Sequence, residues 1–340
     1  MRSNNTVRQL HDSSAHHYQQ LGFTLIELMI SLILGLIISA AVIQVYIINV
    51  KTSSIQASGS ELQDASIFGL QQLERKVRLA NLGNPETQIT SMTNKGGIVL
   101  TGVNLGIATT PYNNLGHLTR RAGDSGGGTN GWTGISNIKD VPSDQLTIQY
   151  TNITGSRMDD CEGSTVEPNE TVVERYFLRQ ETDDSSKGDI KKLVLACDAG
   201  RVNLVGGVAS GILDFPTTDA RRFGQAGQEF VTNADQFKVL LGVHFTKGAN
   251  AGQMMYLPSS AYMKITDDKP AITAIRMGLI AHGSTPIVGS KDQTEFKLLG
   301  EGNILKTDTT RKNQVRNTYE SNTLLRNARV VNIDTSLKPQ

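Results

Sequence analysis

The sequence predicts an α+β protein: one long N-terminal α-helix packed on an antiparallel β-sheet head with long loops. Three observations carry that expectation. An apolar run from Leu28 to Val50 contains no charged residue. It passes without a proline into a segment, 51–80, whose apolar residues recur every three or four positions. Beyond residue 82 the chain changes to short alternating segments separated by polar and glycine-rich stretches, with 33 glycines among its 340 residues. That length accommodates one or two domains.

Residues 1–22 are polar, with Arg2, Arg8, Asp12 and three histidines, His11, His16 and His17. Basic residues ahead of a span favour keeping that end in the cytoplasm. The run behind them exceeds the ~20 residues that cross a bilayer as a helix. Glu27 stands where insertion should begin. A carboxylate near mid-membrane costs roughly 2.5–3.5 kcal/mol on insertion scales, less near an end, so this one is a functional candidate. From Lys51 onward Ile55, Leu62, Leu70, Leu73, Val77 and Ala80, with Ala65 and Gly69, form one amphipathic stripe. Glu61, Asp64, Glu74, Arg75 and Arg78 lie largely off it, and Glu74 with Arg78 makes an i,i+4 pair. Asn81-Leu82-Gly83-Asn84-Pro85 supplies stop signals. These features predict one helix from Phe23 to about Ala80, about 87 Å long at 1.5 Å per residue.

The rest reads as β-rich. Gly97 to Val103 is a short apolar run. Gln145 to Ile153 alternates, Leu146, Ile148 and Tyr150 against Thr147 and Gln149, as a half-buried strand does. Further strands are expected at Thr171–Arg179, Ile190–Cys197, Phe237–Phe245 and Ile272–Ala281, with a charged connection from Gln180 to Asp189. Residues 105–139, 201–227 and 248–260 receive no assignment, and no repeat is visible.

The six residues Gly22-Phe23-Thr24-Leu25-Ile26-Glu27, with the apolar helix behind them, resemble the class III signal of type IV pilins and pseudopilins. The resemblance implies that a prepilin peptidase cuts between Gly22 and Phe23 and methylates the new Phe23 amine, leaving Glu27 near the mature N-terminus. A conventional secretory signal would place its apolar core at Leu28–Ile38 and cleave after Ser39-Ala40-Ala41. That reading leaves Glu27 unexplained, and the apolar run continues past the supposed cut. Ser31, Gly35 and Ser39 recur every four residues, a spacing at which helices approach closely. Major pilins usually carry a helix-breaking proline where this chain has Gln44.

Later segments narrow the resemblance. Val231-Thr232-Asn233-Ala234-Asp235-Gln236-Phe237-Lys238-Val239, then Ala271 to Ala281, then the closing Leu324-Leu325-Arg326-Asn327, resemble the PilW type of minor pilin in the expected order. The implied domains are a leader at 1–22, a transmembrane or filament-core half-helix at 23–50, an amphipathic half-helix at 51–82, and a periplasmic head at 83–340. The implied function is assembly with other minor pilins into a complex that primes the pilus and presents an adhesin. Implied partners are other minor pilins, the major pilin, a PilY-type tip adhesin, the inner-membrane platform protein and the prepilin peptidase. The implied location is the inner membrane and then the pilus at the cell surface, with twitching, adhesion or DNA uptake as consequences. The nearest rival is the J-type minor pseudopilin of type II secretion, whose heads are usually smaller.

In a domain exported past the inner membrane, Cys161 and Cys197 read as one disulfide. Two buried free thiols are the alternative, and neither cysteine has a metal-ligand neighbour at the usual spacing. Net charge is +1, and removing the leader equalises acidic and basic residues. Nothing in that balance pulls the chain toward nucleic acid. The basic residues of the last forty positions, Lys306, Arg311, Lys312, Arg316, Arg326, Arg329 and Lys338, read as a solvated face.

Two chemical motifs fail on their surroundings. Gly123-Asp124-Ser125-Gly126-Gly127 resembles a serine-protease nucleophile loop, but His117, His244 and His282 offer no triad context. Asp183-Asp184-Ser185-Ser186-Lys187-Gly188-Asp189 resembles a calcium loop with lysine and valine at two required oxygen positions. No phosphate loop, dinucleotide fingerprint or zinc pair appears, so no enzyme activity, metal or cofactor is expected.

Overall fold

The computed structural model of the chain describes residues 22–63, 69–106, 115–121, 132–183, 188–205, 208–213, 223–266, 268–287, 293–307 and 313–330. Helix α1 spans Leu25–Gln63 and α2 spans Gly69–Val77. Both lie within the expected helix, and its continuity through 64–68 falls outside the described residues. The chain forms two compact units that part between Val50 and Lys51.

In the N-terminal unit the apolar side chains of α1 are exposed, among them Leu25, Ile33, Ile38 and Ile47. The helix is long and apolar enough to cross a membrane. Its most apolar window has no buried residue.

The second unit contains strands β1 (Gln145–Thr151), β2 (Met158–Asp159), β3 (Thr165–Val166), β4 (Thr171–Gln180), β5 (Leu193–Val205), β6 (Val208–Leu213) and β7 (Gln228–Val231). Strands β8 (Ala234–His244), β9 (Met254–Leu257), the short helix α3 (Ser259–Met263) and β10 (Ala271–Pro286) follow. Strands β11 (Glu295–Leu298), β12 (Glu301–Ile304) and β13 (Gln314–Leu324) complete it. One antiparallel sheet runs β1-β4-β5-β6, with β7 also paired to β5; another runs β13-β10-β8-β9. Every expected strand from Gln145 onward is present. Of the Gly97–Val103 run, Gly97 to Leu100 are buried and Val103 is exposed, and none joins a sheet strand; Ile98 makes one isolated bridge to Ile148. Segments left unassigned hold β6 and β9, and β13 is an additional edge strand.

The amphipathic stripe supplies the core. Leu62, Leu70, Leu73 and Val77 share one apolar cluster with Ile148, Tyr176 and Leu195 of the first sheet and Phe237, Leu241, Ile275 and Leu279 of the second. Each such side chain contributes about 1.5–3 kcal/mol over exposure. Two glycines set how closely the helices sit. A Cβ at Gly69 would overlap the Val231 side chain, and one at Gly283 would overlap Ser58.

The first sheet is covered on its other face as well, where Val173, Val202 and Ile212 of its strands cluster with Val99, Leu105, Leu118 and Phe223. Hence β4 buries both Glu174 and Arg175. Arg175 stands opposite Asp198 in the β4–β5 register, and its Nε donates to Asp198 Oδ2 at 2.5 Å. Its guanidinium also donates to the carbonyls of Gly116 and Gln225 and stacks over Phe177 at 4.3 Å. His117 packs edge-on against Phe223 at 4.7 Å, with both ring nitrogens shielded from solvent and without a hydrogen-bond partner.

Two predictions follow from this packing. Gly283→Val should cost about 1–3 kcal/mol through overpacking against Ser58, read as a lower thermal midpoint. Burial, then the Arg175 charge, pushes the His117 imidazole down from 6.5 to about 3. A histidine held neutral contributes stability above its unfolded value and loses it as pH falls. Stability should therefore decline from pH 6.5 toward about 3, by an order of a few kcal/mol, and His117→Phe should flatten that slope in urea titrations.

Candidate assembly site

The first turn of α1 opens at Thr24, whose Oγ1 accepts the Glu27 amide at 3.3 Å. Thr24-x-x-Glu27 is thus a capping arrangement, with an acidic residue at the positive end of the helix dipole. Glu27 reads in the sequence as a charge in an apolar run and as part of the cleavage signal; the threonine three residues earlier is the signal for its place in the cap. Glu27 is exposed and its carboxylate has no partner among the described residues. Ser31 Oγ donates to the Glu27 carbonyl at 2.7 Å, so this hydroxyl is satisfied within the helix. Gly35 has no atom near its absent Cβ, and the Ser31, Gly35, Ser39 face is open. Phe23, the residue after the expected cut, is 76% exposed. The helix runs through Ser39-Ala40-Ala41 without interruption.

Within the second unit, polar side chains tie the end of α1 and all of α2 to the sheets. Glu61 accepts the Ser284 amide at 2.8 Å, its hydroxyl at 2.7 Å and the Thr285 hydroxyl at 3.3 Å. The Ser284 hydroxyl is the main cause holding its carboxyl below the usual value. Glu74 takes hydrogen bonds from the hydroxyl of Ser321 on β13 and from Arg78 at 3.3 Å. Asn81, in the left-handed region at φ 66°, ends the turn after α2. Asn327 then seals that end: its side-chain amide donates to the carbonyls of Ala80 at 3.1 Å and Arg78 at 3.3 Å. Asn81 returns a bond to the Asn327 carbonyl at 3.0 Å. Leu325 beside it is buried, and its amide donates to Thr273. The closing Leu-Arg-Asn run is therefore a clasp on the helix terminus.

Buried carboxylates organise the head. Glu174 accepts the Tyr150 hydroxyl at 2.8 Å, the Tyr176 hydroxyl at 2.7 Å and the Cys161 amide at 3.0 Å, and Lys76 of α2 lies 3.6 Å away. Burial first, then the Glu174 charge, pushes both phenols well above their ordinary value. Asp235 accepts Arg316 Nε at 3.0 Å and Asn137 Nδ2 at 2.6 Å, with His282 Nδ1 at 3.1 Å. Arg316, expected on a solvated basic face, is buried in this cluster. Cys161 and Cys197 are disulfide-bonded, with Cα atoms 6.2 Å apart. A loop of 36 residues gives the bond roughly 3.8 kcal/mol in the chain-entropy account. The Gly123–Gly127 motif and residues 184–187 of the calcium-like run lie outside the described residues.

The prokaryotic N-terminal methylation motif matches residues 18–43, spanning the expected cleavage point and Glu27. Comparison with curated proteins gives no match. Among solved structures, a type IV-like pilin from Thermus thermophilus aligns at 11% identity with a TM-score of 0.34, covering 80% of this chain and 98% of that one.

Asn327→Ala should destabilise the head by about 1 kcal/mol through the unpaired helix-end carbonyls, measured by thermal unfolding of the full chain. Arg326→Ala, which removes no described hydrogen bond, should leave the midpoint unchanged.

Proposed function

We propose that the chain is a minor pilin of the PilW type, assembling with other minor pilins into the complex that primes a pilus and presents its adhesin. The observation that carries this reading is the methylation motif on a helix that is exposed and apolar at one end and built into a head at the other. Such a helix holds the chain in the inner membrane by its first half. The head is periplasmic until extraction, and then stands at the pilus tip.

Peptidase cleavage at Gly22 frees a cation at Phe23, four residues from the Glu27 carboxylate. Two unit charges 4 Å apart attract by about 4 kcal/mol at an effective dielectric of 20. That is comparable with the cost of burying the carboxylate, so pairing offsets the penalty. A Glu27 unpaired within its own helix is available to the amine of a neighbouring pilin, which would fix the axial offset between subunits. The Ser31, Gly35, Ser39 face allows close approach of a partner helix. The major pilin, fellow minor pilins, a PilY-type adhesin and the platform protein are the partners of this reading.

Mass spectrometry of the mature N-terminus should find methylated Phe23; a start at Val42 would overturn the proposal. Glu27→Ala keeps the backbone amide that Thr24 caps, so it should be processed and membrane-inserted yet fail to enter filaments, scored by immunoblot of sheared pili. Normal incorporation would remove the intermolecular role of the carboxylate. Loss of the protein should abolish piliation; loss of exoprotein release instead would assign the chain to a J-type pseudopilin.

A further inference from the structure

Gln72 and Arg75 lie on the outer side of α2, and Leu79 and Leu82 follow in the turn beyond its end at Val77. Arg75, Arg78, Leu79, Leu82, Arg326 and Asn327 line a groove of about 270 Å³. A second hollow of about 460 Å³ adjoins it across Arg75 and Leu79 and extends past Gln72 to Phe230. The leucines form the groove's apolar floor, half-buried against Tyr150, Val166 and Val172.

The charges at this groove are unbalanced. Arg75 and Arg326 are exposed and have no hydrogen bond or ion pair with any described residue. Glu74 is engaged by Arg78 and Ser321, and the Asp160 carboxylate by Arg201 at 2.8 Å. Lys76 turns inward to Glu174 and Arg78 is paired with Glu74. The unpaired positive charge of the rim therefore rests on Arg75 and Arg326, with the exposed Asp159 on the far side of the adjoining hollow. Guanidiniums present planar forks that match carboxylates. A leucine floor between them selects a partner with apolar side chains at matching intervals, which an extended polyanion lacks. We infer that this groove is a docking site for an acidic amphipathic helix of a partner protein, its leucine-type residues on Leu79 and Leu82 and its carboxylates on Arg75 and Arg326.

Fluorescence anisotropy with the full chain in detergent micelles tests the inference. The probe is a labelled synthetic helix bearing leucines at alternating three- and four-residue spacing flanked by glutamates; its counterpart replaces the glutamates with lysines. The acidic helix should bind and the basic one should not. Combined Arg75→Glu and Arg326→Glu should weaken the acidic helix by about tenfold or more and let the basic helix bind. Leu79→Asp should weaken the acidic helix. Thermal unfolding monitors the fold, and should charge reversal lower the midpoint, the Arg75→Ala, Arg326→Ala pair gives the same direction with a smaller change. Equal binding of the two helices would overturn the inference, as would affinity unchanged by the arginine variants. So would a DNA duplex that displaces the acidic helix at equal charge concentration, because the groove would then be a general polyanion site.

Discussion

Leu62, Leu70, Leu73 and Val77 enter one apolar cluster with side chains from both sheets, and the head is arranged round that contact. The two sheets have separate strand orders and separate edges. The helical stripe joins apolar side chains of both sheets in one cluster. Close seating at Gly69 and Gly283 brings the helices within reach of β7 and β10, and that proximity allows Glu61 to take three donors from Ser284 and Thr285. Polar bonds of this exposed kind add modestly to stability. Their larger effect is to fix rotation and axial register, which an apolar stripe alone specifies loosely.

The clasp at Asn327 follows from the same constraint. A helix that ends against a sheet leaves carbonyls facing protein rather than water, and these need donors. The chain supplies them from its own distal segment, after β13 has crossed the second sheet. Helix and C-terminal segment therefore cannot be ordered independently.

Much of this was legible in the sequence. The uncharged run, the stripe and the stop at Asn81 follow from periodicity and turn chemistry, and the central strands β1, β4, β8 and β10 follow from alternation and apolar content. The methylation motif was legible because it is contiguous. Less legible was β13, whose buried positions include Arg316 and Thr323, residues that read as solvent-facing. Strands of four residues, such as β7 and β9, are too short for a period to register. The burial of Glu174 and Arg175 on β4 was not legible, because the covering layer on the far face of the sheet comes from distant segments. A single strand cannot report that second layer. Likewise Asp235, His282 and Arg316 are separated in sequence and meet only through the β8–β10–β13 register.

The Glu174 cluster shows how the helix and the disulfide depend on one another. A buried carboxylate is unfavourable unless its lone pairs and its charge are both answered. Two tyrosine hydroxyls and the Cys161 amide answer the lone pairs, and Cys161 is held over β5 by its bond to Cys197. The charge is answered by Lys76, which arrives only with α2, and the same ammonium also donates to the Asp159 carbonyl in the disulfide-bearing segment. Undocking the helix would strip the cation from a carboxylate still surrounded by apolar residues. Opening the disulfide would loosen the amide donor and the carbonyl that positions Lys76. Either loss raises the cost of the other contact, so α2 and the disulfide-bearing segment are coupled through one glutamate rather than through apolar packing alone.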